Sequence, residues 1–414
     1  MAAQPPALRI LPYHEALADY LEREESETWQ WFGSSDAQST YAESLRVELL
    51  KHTYRLDEAG YPELFAALAD ARSKLGLEVP VTVYQSQSNR ELNAALYFVP
   101  GEAHVVFEGN VLQLLAPAEL RAILGHELAH FVLWSSADRR MLLTDRIAQA
   151  MANDPRAEPS HVESARLMRL YTEIYADRGS LLVTGDTAAV ISGLVKMQTG
   201  LTQVDAASYV QQADEIFARA KIKTDQLSHP EAFIRTRAIM LWAEGGSGVD
   251  EEVARMIEGK VSLDRLDLTG QQRLTAQTRR WLQLYLRPEW FHTDAVRAQA
   301  RHFFPDFDFA PPSHNDASLT QELNAVDHSI RDYFCYLLLD FVGVDPDLEQ
   351  EPLRAAFVFA NQFGWDDRLE SLVVKEMKIK KREVQQMHEE ALAVVVPPAT
   401  PKSGDESLKD ETHE

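Results

Sequence analysis

Residues 117–134, PAELRAILGHELAHFVLW, set two histidines and a glutamate inside an otherwise apolar stretch, and this constrains the chain more than any other feature. Pro117 suits a first helical position, Glu119 favours the positive N-terminal end, and Gly125 is the one later interruption. Leu120, Ile123, Leu124, Leu128, Phe131 and Val132 recur at helical spacing, which predicts a largely buried helix. His126 and His130, at i and i+4, then share one face a turn apart, where two imidazoles can take two corners of a tetrahedral zinc site. Glu127 lies beside them, placed to act on a metal-bound water as general base. Burying such side chains without partners is costly, so a metal is the simplest reading of HExxH in this setting.

A catalytic zinc takes three protein ligands and keeps one position open, so a third ligand is owed. The long helix expected over 161–183 contains YTEIYADR, and Glu173 is the best candidate, 43 positions after His130. Asp177 follows it by one turn and can accept the outer N–H of a ligand histidine, fixing its tautomer. Further on, LSHPEAFIR sets His229 before a proline, which holds its backbone extended or in a turn.

Length and composition bound the remainder. The 414 residues suffice for two or three domains. With 41 basic and 64 acidic residues, the net charge of −23 argues against nucleic acid or an anionic membrane as a main partner. The single cysteine, Cys335, excludes an internal disulfide and fits a reducing compartment. The first 25 residues lack the pattern of a signal peptide, and no apolar run reaches the ~18–20 residues of a membrane span. A soluble, cytoplasmic protein is expected.

Along the chain, Glu43–Tyr54 and Tyr61–Leu75 read as helices, with Trp29, Trp31 and Phe32 as core. Residues 79–87, 93–98 and 104–107 alternate like strands, with Pro100-Gly101 as a turn, which predicts a small antiparallel sheet just before the metal helix. Asn93–Phe98 is the candidate edge for an extended peptide, and His104 reads as a strand surface residue. A second helix is expected over 138–151, and Asp186 should cap another over 187–198.

HELAH in a buried helix, then EIYAD, then SHPEAFIR, together resemble the HtpX, OMA and CAAX-prenyl-protease group of zinc metallopeptidases. The resemblance covers about residues 80–242 and three ordered motifs. It implies one zinc per chain on His126, His130 and Glu173, Glu127 as base, Asp177 supporting the ligands, His229 stabilising the tetrahedral intermediate and Arg235 bracing the site. The implied fold is mainly α (α+β), a zincin metallopeptidase core with a small antiparallel sheet, followed by a helical C-terminal region. The best-known members of the group carry transmembrane helices, and none is expected here, so their substrates are not transferred.

Five segments are expected: a helical lead-in packed on the core (1–78), the metallopeptidase core (79–244), a helical connector (250–304), a helical module (319–390) and a disordered acidic tail (397–414). Gly245–Gly248 reads as a joint and 305–318, with a solvated His314, as a linker. The module faintly resembles TerB-like domains, and Asp340, Asp345, Asp347 and Glu349 are candidates for a second cation, although carboxylates also start helices. The expected function is zinc-dependent endopeptidase activity on proteins or peptides, with a possible protein partner for the C-terminal module. The alternative is a latent or non-catalytic zincin serving as a regulatory module.

Overall fold

The computed structural model describes residues 8–88, 91–219, 231–311, 316–324 and 326–395. The chain divides into two compact units between Gln272 and Arg273. The first unit opens with α1 (Pro12–Glu24), α2 (Ser26–Gly33), α3 (Ser35–His52), the short strand β1 (Thr53–Arg55) and α4 (Pro62–Leu75). Strands β2 (Val81–Ser86), β3 (Asn93–Val99) and β4 (Glu102–Glu108) lead through a single turn, α5 (Val111–Leu114), into α6 (Pro117–Asn153). Then come α7 (Pro159–Thr184), α8 (Thr187–Thr199), α9 (Ala206–Arg219), α10 (Ala232–Glu244) and α11 (Val249–Glu258).

The strands lie in the order β1-β2-β4-β3. β3 and β4 form an antiparallel hairpin whose turn uses Gly101 at φ +83°. β1 pairs antiparallel with β2, but β2 and β4 run parallel, Val81 opposite Ala103. The sheet is therefore mixed rather than wholly antiparallel. Burial supplies the reason: Ala103 to Phe107 are buried without a break, which suits a central strand, so β4 inserts between β2 and β3. That insertion leaves β3 at an edge, beside α6. It also corrects the reading of His104, which is 3% exposed and lies against the Tyr84 hydroxyl and the Glu102 carboxylate.

Two apolar clusters hold α6 from opposite sides. Val83, Val105 and Phe107 of the sheet pack with Leu120, Leu124 and Leu128. On the other side Ala129 and Leu133 meet Leu17 and Leu21 of α1 and Ile174 and Tyr175 of α7. Trp29 and Phe32 join that second cluster, whereas Trp31 is 63% exposed and is not core. The helix expected over Glu43–Tyr54 stops at His52, because Thr53 to Arg55 leave it to pair with β2.

α6 is two rods joined by a break. Ser136 is extended, and Ala137, Asp138 and Arg139 have φ between +45° and +69°, so the second helix expected over 138–151 turns away from the first. α7 crosses the first rod closely where both helices carry glycine. A Cβ on Gly179 would collide with Ala129 Cβ, and one on Gly125 would lie 3.0 Å from Val183 Cβ.

In the second unit, helices Asp294–Phe303, Ala317–Leu323, His328–Leu339, Glu351–Asn361, Asp366–Met377 and Lys381–Val395 follow the helix Leu268–Tyr285. Its core centres on fully buried Trp281, with Phe334, Phe359, Phe363 and Trp365 rings 4.7–5.5 Å away. Residues 305–311 are no loose linker, since Phe307 is fully buried. The acidic tail expected over 397–414 and His314 lie outside the described residues. No helix among the described residues is long and apolar enough to cross a membrane.

Candidate metal centre and cleft

The start of α6 is set by Pro117 at its first positions and by the Glu119 carboxylate, which accepts from the Ala116 amide at 2.7 Å. Two turns on, His126 and His130 face α7 with their Nε2 atoms 3.3 Å apart. The close crossing at Gly125 and Gly179 lets α7 deliver Glu173 to the same point. Its carboxylate oxygens lie 3.5 Å from His126 Nε2 and 3.8 Å from His130 Nε2. Tetrahedral zinc with bonds of 2.0–2.1 Å separates its ligand atoms by about 3.3 Å, so the three donors suit one ion. Among the described residues this is the group of three or more potential ligands that gathers within 4.8 Å.

A shell of charge holds these donors in place. Asp177 Oδ1 lies 3.1 Å from His126 Nδ1, so it can accept that proton and turn Nε2 towards the other donors. Arg235, delivered by α10, donates to both Asp177 oxygens at 2.7 and 2.6 Å and lies 3.3 Å from Glu173. All three side chains are buried. Burial works against a charged His126, but the Asp177 and Glu173 carboxylates outweigh it and push it up to about 10. His130, buried beside that cation, is pushed down to about 3. Burial and the nearby Glu173 raise the Glu127 carboxyl to about 7. Carboxylates that favour a charged imidazole here also favour a cation at the same place.

These residues open into a cleft of about 580 Å³. β3 forms one lip, and the Leu96 amide helps to hold Glu127 charged. Because strand residues alternate, Ala94 presents its backbone to the same outer edge. At the far end Trp134 stacks on His130 with centroids 5.4 Å apart. α8 forms the opposite wall, fixed to α6 by Lys196 and Ser192, each 2.8 Å from a Glu119 oxygen.

Of the residues singled out from sequence, the structure gathers His126, Glu127, His130, Glu173, Asp177 and Arg235 in one cleft. His229 lies outside the described residues. Asp340, Asp345, Asp347 and Glu349 do not converge; the Asp345 carboxylate instead accepts from the Asp347 amide at 3.1 Å. Sequence reasoning missed Gly179, whose role depends on a residue of another helix. It also passed over Lys196, whose place in an apolar helix was the available signal.

Comparison with known proteins agrees with this geometry. Residues 61–243 match the model of "Peptidase family M48". The chain is 26% identical over 228 residues to the plastoglobule-localized metallopeptidase 48, chloroplastic, of Arabidopsis thaliana, an alignment covering 51% of this chain and 64% of that protein. It is 27% identical over 179 residues to the protease HtpX homolog of Pseudarthrobacter chlorophenolicus, covering 36% of this chain and 60% of that one. The chain thus spans somewhat less than two thirds of the length of these curated relatives. No solved structure matches it. Family match, named relatives and site geometry meet on one segment: residues 61–243 are similar to peptidase family M48.

Proposed function

We propose that this chain is a zinc-dependent metalloendopeptidase, with His126, His130 and Glu173 as metal ligands. The observation that carries the reading is the convergence of three donors from two helices, with Glu127 beside them under an edge strand. When bound, zinc would polarise a carbonyl and make water acidic enough to attack at neutral pH.

The remaining work belongs to side chains and backbone. An extended peptide pairs with β3, which brings a scissile carbonyl over the centre. Glu127 takes a proton from the attacking water and hands it to the leaving amine. Asp177 keeps the proton of His126 on Nδ1, and Arg235 keeps Asp177 charged and in place. The resemblance assigns stabilisation of the developing oxyanion to His229, and a donor there would act by the usual electrostatic route.

The test pairs zinc content with casein cleavage in the wild type and Glu127→Gln. Zinc near one per chain is expected in both, with cleavage lowered about 10²–10⁴-fold in the variant. A variant that kept full activity would remove Glu127 from the mechanism, and a wild type without zinc would sink the centre itself.

A further inference from the structure

The two imidazoles of the cluster are held by different means. His126 Nδ1 meets Asp177 Oδ1 at 3.1 Å, so a hydrogen bond fixes both its tautomer and the plane of its ring. His130 lacks that support: its Nδ1 is buried and, among the described residues, no hydrogen-bond partner reaches it. What lies against this ring is the Trp134 indole, with centroids 5.4 Å apart and planes inclined by 26°. We propose that Trp134 is the positioning residue for His130: stacking on the indole, in place of a hydrogen bond, sets the plane of the imidazole and keeps Nε2 aimed at the point shared with His126 and Glu173.

The need for such a residue follows from the torsion involved. Histidine χ2 is soft, so an imidazole without a partner on Nδ1 turns about Cβ–Cγ unless a surface holds its face. A turned ring takes the Nε2 lone pair away from the other two donors. Trp134 is placed to prevent this. It follows His130 by four positions, and helical side chains lean towards the N-terminus, so the indole covers the turn that carries His130. Offset stacking at this separation is an attractive arrangement of two rings.

The indole is itself braced. Phe98 of β3 meets it edge-on at 6.3 Å, and Phe98 packs in turn on Phe131 at 4.9 Å. The helix breaks at Ser136, whose Oγ donates to the Leu133 carbonyl and closes the turn that holds Trp134. Packing alone does not account for a tryptophan here, because Trp134 Nε1 is also buried without a hydrogen-bond partner among the described residues. A leucine would fill the apolar space without stranding an N–H, but it would offer no flat face to His130.

This inference rests on the metal reading, so one arm of its test uses zinc and the other does not. In the first, zinc affinity of the full chain is measured by competition with a chelator. Trp134→Leu is expected to bind zinc about 10–100-fold more weakly than the wild type, the usual effect of losing a ligand's outer partner. Trp134→Phe, which restores a ring, is expected to stay within about threefold of the wild type. Leu142→Ala is the control for general loosening, since Leu142 is buried in the same apolar cluster and touches no ligand. It should lower the urea midpoint and leave zinc affinity unchanged. In the second arm, isotope-labelled histidine in the metal-free chain reports the ring directly, the His130 signal being assigned by its absence from His130→Ala. The indole should shift that signal upfield in the wild type, and the shift should be lost in Trp134→Leu and kept in part in Trp134→Phe. An unmoved His130 signal, or equal zinc affinity in Trp134→Leu and wild type, would overturn the inference. Equal weakening of zinc by Leu142→Ala, or failure of Trp134→Phe to restore it, would overturn stacking as the cause. A wild type that keeps the shifted signal but takes no zinc would instead count against the metal reading and uphold the role of Trp134.

Discussion

Two places in this chain carry acidic side chains at spacings that suit a divalent cation, and they are built differently. At the first, α6 and α7 cross closely enough to bring donors 47 positions apart, His126 and Glu173, to 3.5 Å. At the second, Asp340, Asp345, Asp347 and Glu349 lie within one short stretch of the C-terminal unit, and Asp340, Asp347 and Glu349 are exposed. There Asp345 starts the 3₁₀ turn Pro346–Leu348 and uses its carboxylate on the Asp347 amide. The difference teaches that spacing selects candidates, while a site requires separate elements to turn their donors towards one point and to shield them from water.

The sharpest way to break the first place is to remove a donor. His130→Ala should bring zinc from about one per chain to near zero after dialysis against a weak chelator, measured by elemental analysis. Stoichiometric zinc in that variant would sink the ligand assignment. Asp177→Asn leaves every ligand in place but takes the carboxylate from His126 and Arg235. Arg235 would then keep only Glu173 as a carboxylate partner, and breaking its buried pair with Asp177 should cost up to about 3–5 kcal/mol, read as a lower urea midpoint. Loss of the outer partner should weaken zinc about 10–100-fold in competition with a chelator. If affinity held, His126 would not need Asp177 to aim it. Gly179→Ala touches no ligand at all. Its methyl group would collide with Ala129 and push the helices apart, at a cost of about 1–3 kcal/mol and with weaker zinc binding. An unchanged melting temperature with unchanged affinity would show that the crossing has slack.

How much of this was legible in the sequence follows the same division. The i,i+4 geometry of His126 and His130 is local, so a helical pattern was enough to expect it. Glu173 and Asp177 needed one further premise, that a zinc owes a third ligand and a supporting carboxylate. Gly179 was illegible because the reason for it, the Ala129 methyl, sits on a different helix. The sheet failed in the same way. Alternation marked the strands but says nothing of neighbours, so the parallel pairing of β2 with β4 was missed. His104 was taken for a surface residue because only one face of a strand was expected to be buried, whereas a central strand buries both. Trp31 was misread by the opposite assumption, that an aromatic cluster must be core.

The smallest effect tests the second place. Asp345→Ala removes a side-chain acceptor from the start of a 3₁₀ turn, and loss of such a cap costs about 1 kcal/mol. That loss should show in chemical denaturation of the full chain, confined to the transition of the C-terminal unit. Calcium and magnesium prefer oxygen donors and discriminate this place from the His126–His130–Glu173 cluster. Titration of wild type and variant with either ion should give the same flat calorimetric trace, because a carboxylate engaged by a backbone amide and three exposed ones do not form a preorganised cage. Saturable calcium binding that disappears in Asp345→Ala would reverse the comparison. A single short stretch would then suffice to gather a cation, and convergence of separate elements would be a property of the His126–His130–Glu173 cluster alone.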